Sequence, residues 1–196
     1  MDINDLRTDT VFWQRLLRLA GYYTGKVDGL RGELTRAAEF CWERASIALA
    51  QAHGRFDERS EGNILTLMPP AQAVARKWLA LAKEKAAAAG CDVKIICGTR
   101  SYAEQDALYK KRPKVTNAKG GYSWHNFGLA FDFGVFSADG KKYFGESPLY
   151  DELGALARKV TGAEWGGDWT SFKDKPHIQM RRFNSISEAR NEFERK

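Results

Sequence analysis

The sequence predicts an α+β protein, a small antiparallel sheet with flanking helices, preceded by a small N-terminal helical module. Three observations predict it. In the first 45 residues, apolar side chains recur at helical spacing on both sides of a glycine-rich connection. Short β-prone runs near 92–99, 129–133 and 177–180 are separated by helical stripes. A polar stretch with two glycines, His53 to Asn63, divides the two patterns.

Between Val11 and Ala20, the residues Phe12, Leu16, Leu19 and Ala20 share one helical face, and Gly21 stands where a C-terminal cap belongs. The run GYYTGKVDGLRGELT puts Gly25, Gly29 and Gly32 in a tight connection, after which Leu34, Ala37, Ala38, Cys41 and Ala45 resume a helical stripe. His53 to Asn63 is expected to be a linker or loop, bounding a first module at 1–55 and a second domain at 60–196. Past Pro69 and Pro70, Val74, Trp78, Leu81 and Ala82 mark a helix that Gly90 ends. A strand is expected over Asp92 to Thr99, then a helix in SYAEQDALYKK capped by Ser101, and an exposed loop from Lys114 to Tyr122. A strand at Leu129 to Phe133, a helix at about Pro148 to Val160 and a strand at His177 to Met180 follow. Ser185 and Glu188 then fit a capping box that opens a last short helix.

Composition bounds the function. A chain of 196 residues with 43% hydrophobic residues and six Trp can bury a core for one ordinary domain plus a small module. Charged residues make up 29% without any long biased tract, which argues against disorder. The net charge of +6 favours a polyanionic partner, whether nucleic acid, anionic lipid or an acidic wall polymer. The basic residues are spread along the chain, densest at Lys110 to Lys114 and Arg181 to Arg182, so no nucleic-acid partner is expected. No run reaches the roughly 18 apolar residues of a membrane span, so no stable membrane insertion is expected. The start MDINDLRTDT is acidic and unlike a secretory signal, which places the chain in the cytoplasm on synthesis. Cys41, Cys91 and Cys97 form no C-x-x-C pair and are expected to be free, structural thiols.

Two of the three histidines keep unusual company: His125 in SWHNFGLAFDF and His177 in DKPHIQ. Two His and one carboxylate suffice for a hydrolytic zinc site that leaves a position for water. Asp132 sits inside an apolar run, where a carboxylate is costly to bury unless it is paired or bound to metal. Seven residues separate it from His125, an odd spacing that puts the two on opposite faces of a straight strand, so a bend at Asn126, Phe127 and Gly128 is required. Phe131 and Phe133 are then expected to point into the core. Trp165 and Trp169 read as wall or core residues, with Glu164 and Asp168 as rival carboxylates nearby.

SWHNFGLAFD resembles the S-x-H-x-x-G-x-A-x-D motif of the D-Ala-D-Ala carboxypeptidase and phage endolysin family of zinc peptidases, and EWGGDWTSFKDKPHIQ resembles its second half. The stretch with Leu19, GYY at 21–23, Gly25, VDG at 27–29, Gly32, Thr35 and Ala38 resembles the small peptidoglycan-binding module of cell-wall hydrolases, with Trp42 and Glu43 where that module has Phe-Gln. The resemblance implies zinc held by His125, Asp132 and His177, with Asp174 as the catalytic general base. It also implies Arg100 facing the scissile carbonyl, Ser101 and Gln105 lining the same edge, and Ser123 orienting the site, while spacing alone leaves Asp168 open as a base or a substrate contact. The implied activity is that of a phage-type endolysin, a monomer acting on peptidoglycan once the membrane is permeabilised and cutting the L-alanyl-D-glutamate bond. Its rivals are a D,D-carboxypeptidase or dipeptidase releasing D-Ala, and a wall-binding protein with an inactive metal site.

Overall fold

A computed structural model describes residues 3–113 and 115–195. Lys114, which ends one expected basic cluster and begins the expected loop, lies outside the described residues, as do Met1, Asp2 and Lys196.

Helices α1 (Ile3–Thr8), α2 (Thr10–Leu19), α3 (Glu33–His53), α4 (Glu58–Thr66) and α5 (Pro69–Ala88) precede the first strand. Asp9 caps α2 by accepting from the Phe12 N–H at 3.0 Å, and the helix buries Phe12, Trp13, Leu16 and Leu17. Gln14 is fully buried on the same helix and holds the glycine-rich connection in place. Its Oε1 accepts from the N–H groups of Asp28 and Gly29 at 3.1 and 2.9 Å, and its Nε2 donates to Asp28 Oδ1 and Leu30 O at 3.0 Å. A buried amide with both ends satisfied fixes a loop that has little apolar surface of its own.

Of the linker or loop expected over 53–63, residues 54–57 lie outside the helices, while His53 ends α3 and 58–63 belong to α4. Helix α4 begins at Glu58, capped by Asp57, whose carboxylate accepts from the Ser60 N–H at 3.0 Å. The polar residues of this stretch are taken up by tertiary partners. Ser60 Oγ accepts from the Ile95 N–H, Asn63 donates to the Ile95 carbonyl, and Glu61 pairs with the fully buried Arg76 guanidinium at 2.7 and 2.8 Å. At Ser60, Glu61 and Asn63 polarity marks bonds to the body of the protein, while Arg55, Glu58 and Arg59 are exposed.

Strands β1 (Cys91–Cys97), β2 (Ala130–Ser137), β3 (Ala163–Trp165) and β4 (His177–Met180) form one antiparallel sheet in the order β1-β2-β4-β3. The predicted α+β class therefore holds. β2 runs four residues beyond the expected Phe133, and β3 was not expected. Helix α6 (Tyr102–Lys110) is capped by Ser101, as expected, and Glu104 completes a capping box. The helix expected near 148–160 is α7 (Leu149–Ala155) followed by a 3-10 turn, and α8 (Ile186–Glu194) is capped by Ser185.

Alternation along β2 sends Phe131, Phe133 and Val135 onto α5, where the Trp78 ring lies 5.5 Å from Phe131 and 4.7 Å from Phe133. Asp132 faces the other way. A second cluster joins Trp13, Leu16 and Leu17 of α2 to Met68, Phe127, Leu129 and the α8 residue Phe193. The N-terminal helices thus share a core with the loop that enters β2.

The carboxyl of Asp57 is held below its ordinary range: burial opposes this, but the Ser60 N–H and hydroxyl and the Lys83 ammonium outweigh it. Stabilisation from such a lowered group is complete above the unfolded value of about 3.9 and is lost as pH falls through the folded value. Asp57→Ala should therefore cost about 0.5–2 kcal/mol at neutral pH, a deficit in urea denaturation that shrinks in acid. An equal deficit at both pH values would contradict the capping role.

Candidate metal centre

Three strands align the site. In register, Asp132 of β2 has Cys97 of β1 on one side and His177 of β4 on the other. Side chains at such positions share a face, so Asp132 and His177 meet by strand pairing alone. His125 arrives from a 3-10 helix, Trp124–Phe127, which ends at Gly128 with φ +66°. A Cβ on Gly128 would lie 3.0 Å from the Met68 nitrogen, whose N–H donates to the Gly128 carbonyl. This is the expected bend, and only glycine accommodates it.

The result is a nearly equilateral set of donor atoms. His125 Nε2 lies 3.2 Å from Asp132 Oδ1 and 3.2 Å from His177 Nδ1, and His177 Nδ1 lies 3.2 Å from Asp132 Oδ1. Donors about 2.0–2.2 Å from a tetrahedral zinc stand about 3.3–3.6 Å apart, so the triangle is close to the size such an ion needs.

The outer nitrogens of both rings are committed elsewhere. His125 Nδ1 donates to the Gly98 carbonyl at 2.7 Å. His177 Nε2 donates to Gln179 Oε1 at 3.1 Å, Gln179 Nε2 donates to Glu164 at 3.0 Å, and Arg181 holds the other Glu164 oxygen at 2.8 Å. Each ring therefore turns its lone pair toward the shared point, the tautomer a metal needs. Burial pushes the His125 pKa down, against the pull of Asp132, and so favours the neutral ring. Burial works against ionised Asp132, but His125, His177 and Arg100 hold it well below the usual carboxylate range. Burial also works against charged His177, but Asp132, Asp174 and Gln179 raise its pKa, so a cation bound there would displace a proton from this ring.

Arg100 is drawn in tightly. Its Nη2 donates to Asp132 Oδ2, its Nε to Cys97 Sγ at 3.0 Å, its Nη1 to Gln105 Oε1 at 3.3 Å, and its backbone N–H to the His125 carbonyl at 3.0 Å. Gln105 is fully buried and also donates to the Ala118 carbonyl at 3.0 Å, tying the loop after α6 to Arg100. The Ser101 hydroxyl accepts from the Glu104 N–H and so serves the helix cap. Ser123 precedes the 3-10 helix, and its carbonyl accepts from Asn126 at 2.9 Å. Asp168 is not brought to the triangle: its exposed carboxylate is engaged by Arg158, with Nε at 3.0 Å.

Asp174 stands beside the centre. Its N–H donates to the Gly166 carbonyl and its carbonyl accepts from the His177 N–H, both at 3.1 Å. A Cβ on Gly166 would come within 2.5 Å of the Asp174 carbonyl oxygen, so this glycine lets the segment approach. Burial, reinforced by the Asp132 charge, raises the Asp174 pKa, while His177 and Arg100 pull it down. Trp165 is buried and donates to the Lys175 carbonyl at 2.7 Å, and the Trp169 ring lies 5.2 Å from that of His177. Trp165 thus belongs to the core and Trp169 borders the His177 ring, within the expectation of wall or core residues.

Sequence reasoning missed Gln179 and Glu164 as the support of His177, although two residues along a strand is the same-face spacing. It also read Cys97 as a buried hydrophobe, whereas its sulfur and the donors of His125 and Asp132 all lie within 4.8 Å of one another. Burial and the Asp132 charge push that thiol up to about 11, although Arg100 opposes them.

Two imidazoles and a carboxylate converge on one point, with a raised carboxyl beside them, a donor set that could hold one metal ion. Residues 116–180, which hold His125, Asp132, Asp174 and His177, match the family model described as D-alanyl-D-alanine carboxypeptidase. The chain is 48% identical over 110 residues to the peptidoglycan L-alanyl-D-glutamate endopeptidase CwlK of Bacillus subtilis, a match covering 49% of this chain and 66% of that protein. It is 30% identical to the L-alanyl-D-glutamate peptidase of Listeria phage A118, covering 62% of this chain and 41% of that one. The chain thus spans a little under two thirds of the first relative's length and less than half of the second's. The crystal structure of the L-Ala D-Glu endopeptidase ChiX of Serratia marcescens is similar at a TM-score of 0.49 and 28% identity, covering 66% of this chain and 91% of that one.

Removing the support of His177 should weaken the centre without unfolding it. Gln179→Leu is expected to lower zinc affinity about 10- to 100-fold in chelator competition, and an unchanged affinity would contradict the support role.

Proposed function

We propose that the protein is a zinc-dependent peptidoglycan endopeptidase that hydrolyses the L-alanyl-D-glutamate bond of the stem peptide. The carrying observation is the donor triangle of His125, Asp132 and His177 with Asp174 beside it. The names of the Bacillus and phage relatives support the choice of bond. A nitrogen-rich set with one carboxylate suits zinc better than the all-oxygen shells of calcium or magnesium.

Zinc held there supplies a Lewis acid for the scissile carbonyl and makes water a stronger acid. The chain's own groups do the rest. Asp174 accepts a proton as the water oxygen bonds to the L-alanyl carbonyl carbon, and it returns that proton to the D-glutamate nitrogen as the C–N bond breaks. The raised pKa of Asp174 suits both halves of this exchange, since a weakly acidic carboxyl takes and gives a proton readily. Arg100 sets Asp132 and places a fixed positive charge beside the carbonyl oxygen, where negative charge develops. Ser101, Gln105 and Ser123 act through the loops they hold.

In this reading residues 1–55 bind the wall and 60–196 cut it, in a monomeric phage endolysin. It accumulates in the host cytoplasm and reaches the wall after membrane permeabilisation. No helix among the described residues is long and apolar enough to cross a membrane. A second reading, removal of terminal D-Ala, is favoured by the description of the matching family model.

Digesting purified peptidoglycan and identifying the new termini by mass spectrometry separates the two. New L-alanyl carboxyl and D-glutamyl amino termini are expected, and free D-Ala as the sole product would refute the endopeptidase reading. Asp174→Ala should keep the fold and the zinc while hydrolysis falls about 10²- to 10⁴-fold. Undiminished hydrolysis would remove Asp174 from its role.

A further inference from the structure

The cross-strand row that joins Asp132 to His177 extends one strand further, to Cys97. An irregularity of β1 between Ile95 and Cys97 brings the cysteine, not Ile96, opposite Asp132. Its sulfur, His125 and Asp132 offer donor atoms all within 4.8 Å of one another. A thiolate is a strong zinc ligand, and a fourth protein donor gives the closed, four-coordinate shell of structural zinc sites, whereas catalytic sites keep one position open. Cys97 therefore threatens the function of the centre it borders.

Arg100 occupies the approach. One edge of its guanidinium meets the sulfur through Nε at 3.0 Å, and Nη2 meets the outer oxygen of Asp132. Gln105 and the His125 carbonyl hold the arginine from behind, at 3.3 and 3.0 Å. A planar fork can span a sulfur and a carboxylate at once, which the single ammonium of lysine cannot.

We propose that Arg100 is a positioning residue that keeps the Cys97 sulfur off the metal, so that the centre retains three protein donors and an open position. The proposal rests on His125, Asp132 and His177 being the metal ligands. Without Arg100 nothing would hold the sulfur back from the open position, and a metal–sulfur bond would replace the S–H bond, the proton passing to solvent.

Cobalt(II) substitution reads this directly, because sulfur ligation adds a sulfur-to-cobalt charge-transfer band in the near ultraviolet that nitrogen and oxygen ligands lack. The wild-type protein should bind cobalt without the band, Arg100→Ala should bind it with the band, and Arg100→Ala combined with Cys97→Ser should lose the band again. A band in the wild type, or cobalt-loaded Arg100→Ala without one, overturns the proposal while leaving the three ligands in place. Failure of the wild type to take up cobalt overturns the ligand assignment and the proposal together. Should Arg100→Ala not fold, Cys97→Ser alone decides. The proposal requires its zinc affinity to fall by much less than the roughly 10-fold that disturbance of a ligand's support brings, and a larger fall makes Cys97 a ligand.

Discussion

An ionised carboxylate in the middle of an apolar strand is the constraint from which the site is built. Asp132 lies between Phe131 and Phe133, both fully buried, on the central strand pair of a four-stranded sheet. A charge in that position is tolerated only with partners that satisfy both oxygens. One oxygen is met by Arg100, and the other faces the donor nitrogens of His125 and His177. Sheet register supplies His177, a glycine-dependent bend supplies His125, and a short loop after β1 supplies Arg100. Strand pairing and one left-handed glycine thus do most of the assembly.

The bend that carries His125 is itself held from outside the sheet. Phe127 and Leu129 lie in a core with Trp13, Leu16 and Leu17 of α2 and with Phe193 of α8, and Met68 bonds the Gly128 carbonyl. Packing of the N-terminal helices is thereby coupled to the position of the His125 ring. Interiors packed at crystal-like density transmit small displacements, so a change in α2 reaches His125 through contacts and not through flexible chain.

Much of this was legible before the structure. Alternation around Asp132 foretold which side chains enter the core, the odd spacing to His125 demanded a bend where Gly128 provides one, and Ser101 announced α6. What escaped the reading depends on distant partners. The polar run at 53–63 looks like a linker because its polarity is visible and its bonds to Ile95 and Arg76 are not. Strand β3 is three residues long and too short to show alternation. Cys97 looks apolar in sequence, and only its register with Asp132 makes its sulfur matter. The Gln179 to Glu164 bond crosses between two strands whose pairing no local pattern announces.

The central claim is the composition of one coordination shell. X-ray absorption at the zinc edge of the purified, zinc-loaded protein tests it most directly, since imidazole, oxygen and sulfur neighbours scatter distinguishably. One zinc per chain with two imidazoles, oxygen neighbours and no sulfur is the predicted result. A sulfur neighbour, or a single imidazole, would contradict the assignment of His125, Asp132 and His177 as the set that holds the metal.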